Sequence, residues 1–278
     1  MANHSTEREA ILSFLKDARQ KNAVTWAEGD SKTFLEKGYY SWMCSFVKDY
    51  HTILEVGVGC GYATLELVKS GHKVIGIEEN TECLKIALNN LQNASIKCEC
   101  VYRGHITPIY STHKYKIDYD KITIDCNSDV ILLEGDIIDD PYLHLWLKGL
   151  PKFDAVISWL IGTHGGKAFN MNCDGILQPS DYRLICENRT YELADIILRE
   201  QGTLNIIDRT QKMDDEMQDI FIKSHIDQAE LTSLVVIPRV YQKEYDQPVF
   251  GVPMGGVSAK AMENGLVFAS ILSKKNSK

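Results

Sequence analysis

The chain has 278 residues, 44% hydrophobic and 24% charged, a balance that suits one large globular α/β domain and excludes a disordered or fibrous protein. Its formal charge of −8 argues against a broad nucleic-acid surface, because nonspecific affinity comes from lysine and arginine neutralising phosphates. No stretch reaches the roughly 18 apolar residues of a membrane span and the N-terminus has no signal-peptide core, so a cytoplasmic protein is expected.

Thr6 and Glu9 have the spacing of a capping box, and Ile11, Leu12, Phe14 and Leu15 follow at helical spacing, which predicts an amphipathic first helix acting as lid or flank. Residues 25–50 predict a second amphipathic helix broken near Gly38. Residues 1–50 are thus expected as a helical segment in front of a domain spanning 51–278. From residue 51, strands and helices alternate, the pattern of a parallel sheet covered on both faces. Strands are expected at 52–56, 73–77, 130–134, 154–159, 203–208, 233–241 and 266–273, the last pair antiparallel. Helices are expected at 61–70, 81–93, 180–201 and about 212–231. The crossover between the second and third strands is too long for one helix and a loop, and KYKIDYDKITID inside it alternates, so 96–127 is expected to insert a β-hairpin.

Eight cysteines are scattered along a chain with no export signal and are expected as free thiols. Cys98 and Cys100, with His105, His113 and Cys126 downstream, allow a metal site to be drawn, but the spacings match no standard zinc site and no metal is expected.

The stretch ILEVGVGCG, residues 53–61, places Gly57, Gly59 and Gly61 directly after the first strand. Such a turn lets backbone approach a ligand and opens a helix toward it, for NAD, FAD or S-adenosylmethionine (AdoMet) alike. The dinucleotide pattern needs a small residue at position 62, where Tyr62 stands. With Glu55 before these glycines, the chain resembles the class I AdoMet-dependent methyltransferases. Three more signals follow in order: Glu78 with Glu79 at the end of the second strand, Glu134-Gly135-Asp136 after the third, and FDAVISWLIGTH at the fourth. The resemblance implies a three-layer, doubly wound sheet of seven mostly parallel strands. It also implies AdoMet as cofactor and S-adenosylhomocysteine as product, with Glu78 on the ribose hydroxyls and Asp136 and Ile137 at the adenine. Glu55, Gly57, Gly59, Gly61, Glu79, Ser158 and Trp159 complete the expected cofactor site. The carboxylates Glu55, Glu78, Glu79 and Asp136 would repel a pyrophosphate but suit a ligand carrying a sulfonium and an ammonium.

Gly61 also fits close helix packing, and Trp159 fits either a cavity wall or the core. The D/N-P-P-Y/F motif of amino-group methylating relatives is replaced by Ser158-Trp159-Leu160-Ile161, which counts against base N-methylation. His164 is read either as a base near neutral pH or as an exposed loop histidine. Tyr40 is a candidate for the methyl side, where an aromatic face meets a sulfonium. The acidic surface favours a small-molecule or protein/peptide acceptor, specified by the 96–127 insertion and the Gly/Pro-rich loop 247–258. Two other readings stay open: a different AdoMet chemistry on the same fold, and a noncatalytic AdoMet-binding module.

Overall fold

A computed structural model describes residues 2–109, 113–173, 176, 178–248, 250–251 and 265–277. The chain opens with α1 (Ala2–Val24), which widens into a π-helical turn over Thr25–Ser31 and continues as α2 (Lys32–Glu36). Because the helix runs from Ala2, Thr6 and Glu9 lie inside it, not at its start. Gly38, at φ +71, makes the expected break before α3 (Tyr39–Cys44).

The alternating part follows as β1 (Thr52–Val56), α4 (Tyr62–Lys69), β2 (Lys73–Glu78) and α5 (Thr81–Asn93). Asn80 caps α5 by accepting the Glu82 N–H at 3.1 Å. The insertion holds β3 (Glu99–Val101), β4 (Gly104–Ile109) and β5 (Lys114–Tyr119). Beyond it come β6 (Val130–Glu134), α6 (Leu143–Gly149), β7 (Phe153–Trp159), α7 (Pro179–Ile197), β8 (Leu198–Gln211), α8 (Asp215–Ala229), β9 (Leu234–Tyr245) and β10 (Leu266–Lys275). Of the Gly/Pro-rich loop, 249 and 252–258 lie outside the described residues.

All seven expected strands form, and the sheet gains an eighth at its edge. Its order is β3-β6-β2-β1-β7-β8-β10-β9, while β4 and β5 pair separately as the expected hairpin. β1, β2, β3, β6, β7 and β8 are parallel, and β10 runs antiparallel between β8 and β9. Chain order reverses between β1 and β7, and in open α/β sheets ligands bind at the carboxyl ends of the strands flanking such a point.

Alternate residues of β1 serve opposite faces. Leu54 and Val56 join Val156, Leu204 and Ile206 beneath Tyr191, Ala194 and Ile197 of α7. Ile53 faces the other way with Ala155, Ile157 and Ile207, against Phe34, Tyr40, Met43 and Val47. Phe34 and Tyr245 both pack on Phe268, the first edge-on at 5.0 Å and the second stacked at 4.2 Å between centroids. Residues 34–47 therefore share one core with the sheet. The hairpin turns Tyr115, Ile117 and Tyr119 inward onto Ile11 and Leu15 of α1.

Candidate active site

The carboxyl ends of β1, β2, β6, β7 and β8 open into one cavity, closed from the N-terminal side by Asn22, Trp26 and Tyr40. Its floor is the glycine turn, where Gly57, Gly59 and Gly61 take φ of +82°, +55° and +78°. A side chain at Gly59 would put Cβ 2.8 Å from the indole Nε1 of Trp26. Only bare backbone leaves room there for both the indole and a ligand. Gly61 does not line the cavity; a Cβ there would come within 2.9 Å of the Ala87 backbone, so this glycine lets α4 pack against α5.

Glu55, Glu78, Glu79 and Asp136 all line the cavity, but they are not equivalent. The Glu55 carboxylate accepts the Thr64 hydroxyl at 2.6 Å, and burial pushes its pKa up to about 8. Glu78 accepts the Gly59 N–H on one oxygen and the Asn80 N–H on the other, each at 2.8 Å. Burial and the neighbouring Glu79 raise it to about 7. This bidentate seating fixes the glycine turn relative to β2.

Glu79 and Asp136 belong to a buried ionic cluster. Lys167, 3% exposed, is ion-paired with Asp136 and lies 3.8 Å from Glu79, which also meets Arg19 at 3.3 Å and His164 Nε2 at 3.0 Å. Burial works against the charged form of Glu79, but Lys167, His164 and Arg19 together hold it well below the usual carboxylate range. Of the four acidic residues that the sequence groups together, Glu79 and Asp136 thus have cationic partners inside the protein, and Glu55 and Glu78 have none within ion-pair distance among the described residues.

His164 is buried at 2% exposure against Glu79, and it does not line the cavity. It is therefore not an exposed loop histidine, and its ring packs into the Glu79 cluster. Ser158 is buried outside the cavity, its hydroxyl without a hydrogen-bond partner among the described residues. Trp159 does line it, its Nε1 donating to Asn205 Oδ1 at 2.8 Å, as do Ile137 and Tyr40. The Tyr40 hydroxyl meets that of Ser31 at 2.5 Å, and burial pushes its pKa up. Glu134 plays a structural part, since one of its carboxylate oxygens accepts the N–H groups of Arg103 and Gly104, at 2.7 and 2.9 Å, and so anchors the hairpin's first strand.

Sequence reasoning missed Asn22, Trp26, Tyr182, Cys186 and Arg209 as lining residues. A signal existed for Arg209, which follows the apolar run of β8 at its carboxyl end, where α/β folds place ligand contacts. Among the described residues no group of three His, Cys, Asp or Glu side chains is arranged to hold a metal, and no helix is long and apolar enough to cross a membrane.

A model of the protein-L-isoaspartate (D-aspartate) O-methyltransferase family matches residues 29–131, which carry β1, the glycine turn, and β2 with its acidic end. The chain has the class I AdoMet-dependent methyltransferase fold. The matched model is that of an AdoMet-dependent methyltransferase family. Among solved structures it is similar to geranyl diphosphate C-methyltransferase from Streptomyces coelicolor A3(2), at 9% identity over 84% of this chain and 76% of that one, with a TM-score of 0.46. It is also similar to YcgJ of Bacillus subtilis, at 11% identity over 82% and 93%, with a TM-score of 0.45. No curated protein matches the chain in sequence. The cavity of this methyltransferase fold suits AdoMet on its own chemistry: glycine backbone in its floor, and the acidic side chains Glu55 and Glu78 in its wall, which disfavour a phosphate and ionise more readily beside a cation.

Proposed function

We propose that this chain transfers the methyl group of AdoMet to a small-molecule or peptide acceptor. The observation that supports this reading is the hydrogen bond from the Gly59 N–H to Glu78 at 2.8 Å, which ties the acidic end of β2 to the glycine turn. In this reading Glu78 accepts the ribose hydroxyls on the lone pairs its two backbone donors leave unused. Ile137 packs on the adenine beside Asp136. Glu55 faces the ammonium end, and the backbone of Gly57 and Gly59 supports the chain between. Trp159 and Tyr40 wall the methyl side, excluding water and orienting the acceptor. Bound AdoMet supplies a methyl group already activated on a sulfonium, so the protein's contribution is mainly positioning. His164 takes no part as a base; with Lys167 and Arg19 it holds Glu79. The net charge of −8 supports an acceptor other than nucleic acid.

Incubation with AdoMet and a panel of small-molecule and peptide acceptors, followed by mass spectrometry, tests the proposal. Acceptor-dependent S-adenosylhomocysteine is expected; methylthioadenosine, or no turnover on any acceptor despite tight AdoMet binding, would refute methyl transfer.

The raised carboxyls add a pH signature. A cationic ligand favours the ionised forms of Glu55 and Glu78, so binding lowers both pKa values from about 8 and about 7 and releases protons. Affinity for AdoMet is therefore expected to rise as pH goes from 6 to about 7.5, above which loss of the proton from the ligand's own α-ammonium opposes the rise. Titration calorimetry in buffers of different ionisation enthalpy reads the released protons, and Glu55→Gln should remove the upper part of the rise. An affinity that is flat with pH, and unaltered in the variant, contradicts this assignment.

A further inference from the structure

AdoMet carries a carboxylate as well as its two cationic groups, and the carboxylates already assigned cannot receive it. Among the described residues lining the cavity, Arg209 is the one basic side chain. It extends from the carboxyl end of β8 and is held by Asp30, Trp26 and a hydrogen bond with Tyr245. Its Nη1 donates to Asp30 Oδ1 at 3.0 Å, Asp30 itself being fully buried, and its guanidinium carbon lies 5.4 Å from the centroid of the Trp26 ring. Trp26 in turn sets its Nε1 against the glycine turn, 2.8 Å from where a Cβ of Gly59 would stand. The guanidinium is thus fixed through the indole to the wall above Gly59, whereas Asp136, the adenine-side residue, belongs to the loop after β6. A ligand running from Asp136 past Glu78 to the glycine turn reaches the Trp26–Arg209 wall with its amino-acid end.

We propose that Arg209, held by Asp30 and Trp26, binds the amino-acid carboxylate of AdoMet. The inference rests on the cofactor orientation proposed above. A planar guanidinium presents several donors in a fixed fork that matches a carboxylate, and one already held by a buried partner loses little freedom on binding. The π-helical turn at Thr25–Ser31 takes on a purpose here, since it carries both Trp26 and Asp30.

The test compares two ligands on the purified full-length chain: S-adenosylhomocysteine, and methylthioadenosine, which keeps the adenosine and thioether but lacks the amino acid. Arg209→Met is expected to weaken S-adenosylhomocysteine by about ten- to a hundredfold, the range for a charge-assisted hydrogen bond, and to leave methylthioadenosine unchanged. Because Arg209→Met leaves Asp30 buried without this cation, Arg209→Lys serves as a second variant. It keeps a positive charge beside Asp30 and should still weaken only S-adenosylhomocysteine, since an ammonium lacks the fork. Equal losses for both ligands, or no loss for either, would overturn the assignment of Arg209. Wild-type protein that binds neither ligand would instead overturn the cofactor reading beneath it.

Discussion

Replacing Lys167 with methionine is expected to lower the unfolding free energy by about 3–5 kcal/mol, the usual cost of removing one partner from a buried ion pair. Lys167 is 3% exposed and is the cation shared by Asp136 and Glu79. Methionine keeps most of the stem volume but leaves Asp136 without its lysine and Glu79 with only Arg19 and His164. The effect is therefore electrostatic and not a cavity effect. Urea titration of the unliganded protein at neutral pH measures it, and a loss under about 1 kcal/mol would show that the cluster relaxes or hydrates without cost.

The pH dependence of that loss has a defined sign. Coulombic attraction from Lys167, His164 and Arg19 depresses Glu79 below its ordinary value of 4.5, so its stabilising contribution is complete above that pH and fades as pH falls through the depressed value. Asp136 and Glu79 raise Lys167 well above 10.5 despite its burial, so its contribution is complete below 10.5 and is lost only in stronger alkali. The gap between wild type and Lys167→Met should be widest between these limits and shrink below pH 4.5. A gap that grew on acidification would exclude the ionic account.

The parts of the fold that a linear sequence states twice are the ones it made legible. β1, β6 and β7 are buried on both faces, so each reads as a near-continuous apolar run and its bounds fall within a residue of expectation. The glycines at 57 and 59 and the carboxylate at 78 were likewise readable, because a turn of that kind and an acidic strand end are local patterns. β3, three half-buried residues at the sheet edge, and α6, seven residues long, are too short for any period to emerge. The π-helical turn has no composition of its own, and the capping-box spacing of Thr6 and Glu9 falls within an uninterrupted helix. Which carboxylates have cationic partners was not legible at all. It depends on Lys167 and Arg19, 148 positions apart, meeting at Glu79 once the loop after β7 folds back. The same loop carries His164 away from the position that strand order suggested.

The second large effect is expected at Glu78. Glu78→Gln should weaken S-adenosylhomocysteine about a hundredfold and cost the unliganded protein about 1–3 kcal/mol, the penalty for a buried donor left without an acceptor. Both effects have one origin. Each oxygen of Glu78 accepts a backbone N–H, from Gly59 and from Asn80. A carboxamide offers one oxygen and one NH2, so one of the two N–H groups must face another donor. If the Gly59 side loses its acceptor, the glycine turn is released from β2. If the Asn80 side loses it, the start of α5 shifts together with the Asn80 cap on Glu82. In both cases the acceptor proposed for the ribose hydroxyls is reduced to a single oxygen. Glu79→Gln, in the adjacent position but held by the Lys167 cluster, separates the two roles: it should affect stability more than affinity. Calorimetry and urea titration on both variants decide the matter, and equal affinity losses at 78 and 79 would refute the division of labour between a ligand-facing and an internally neutralised carboxylate.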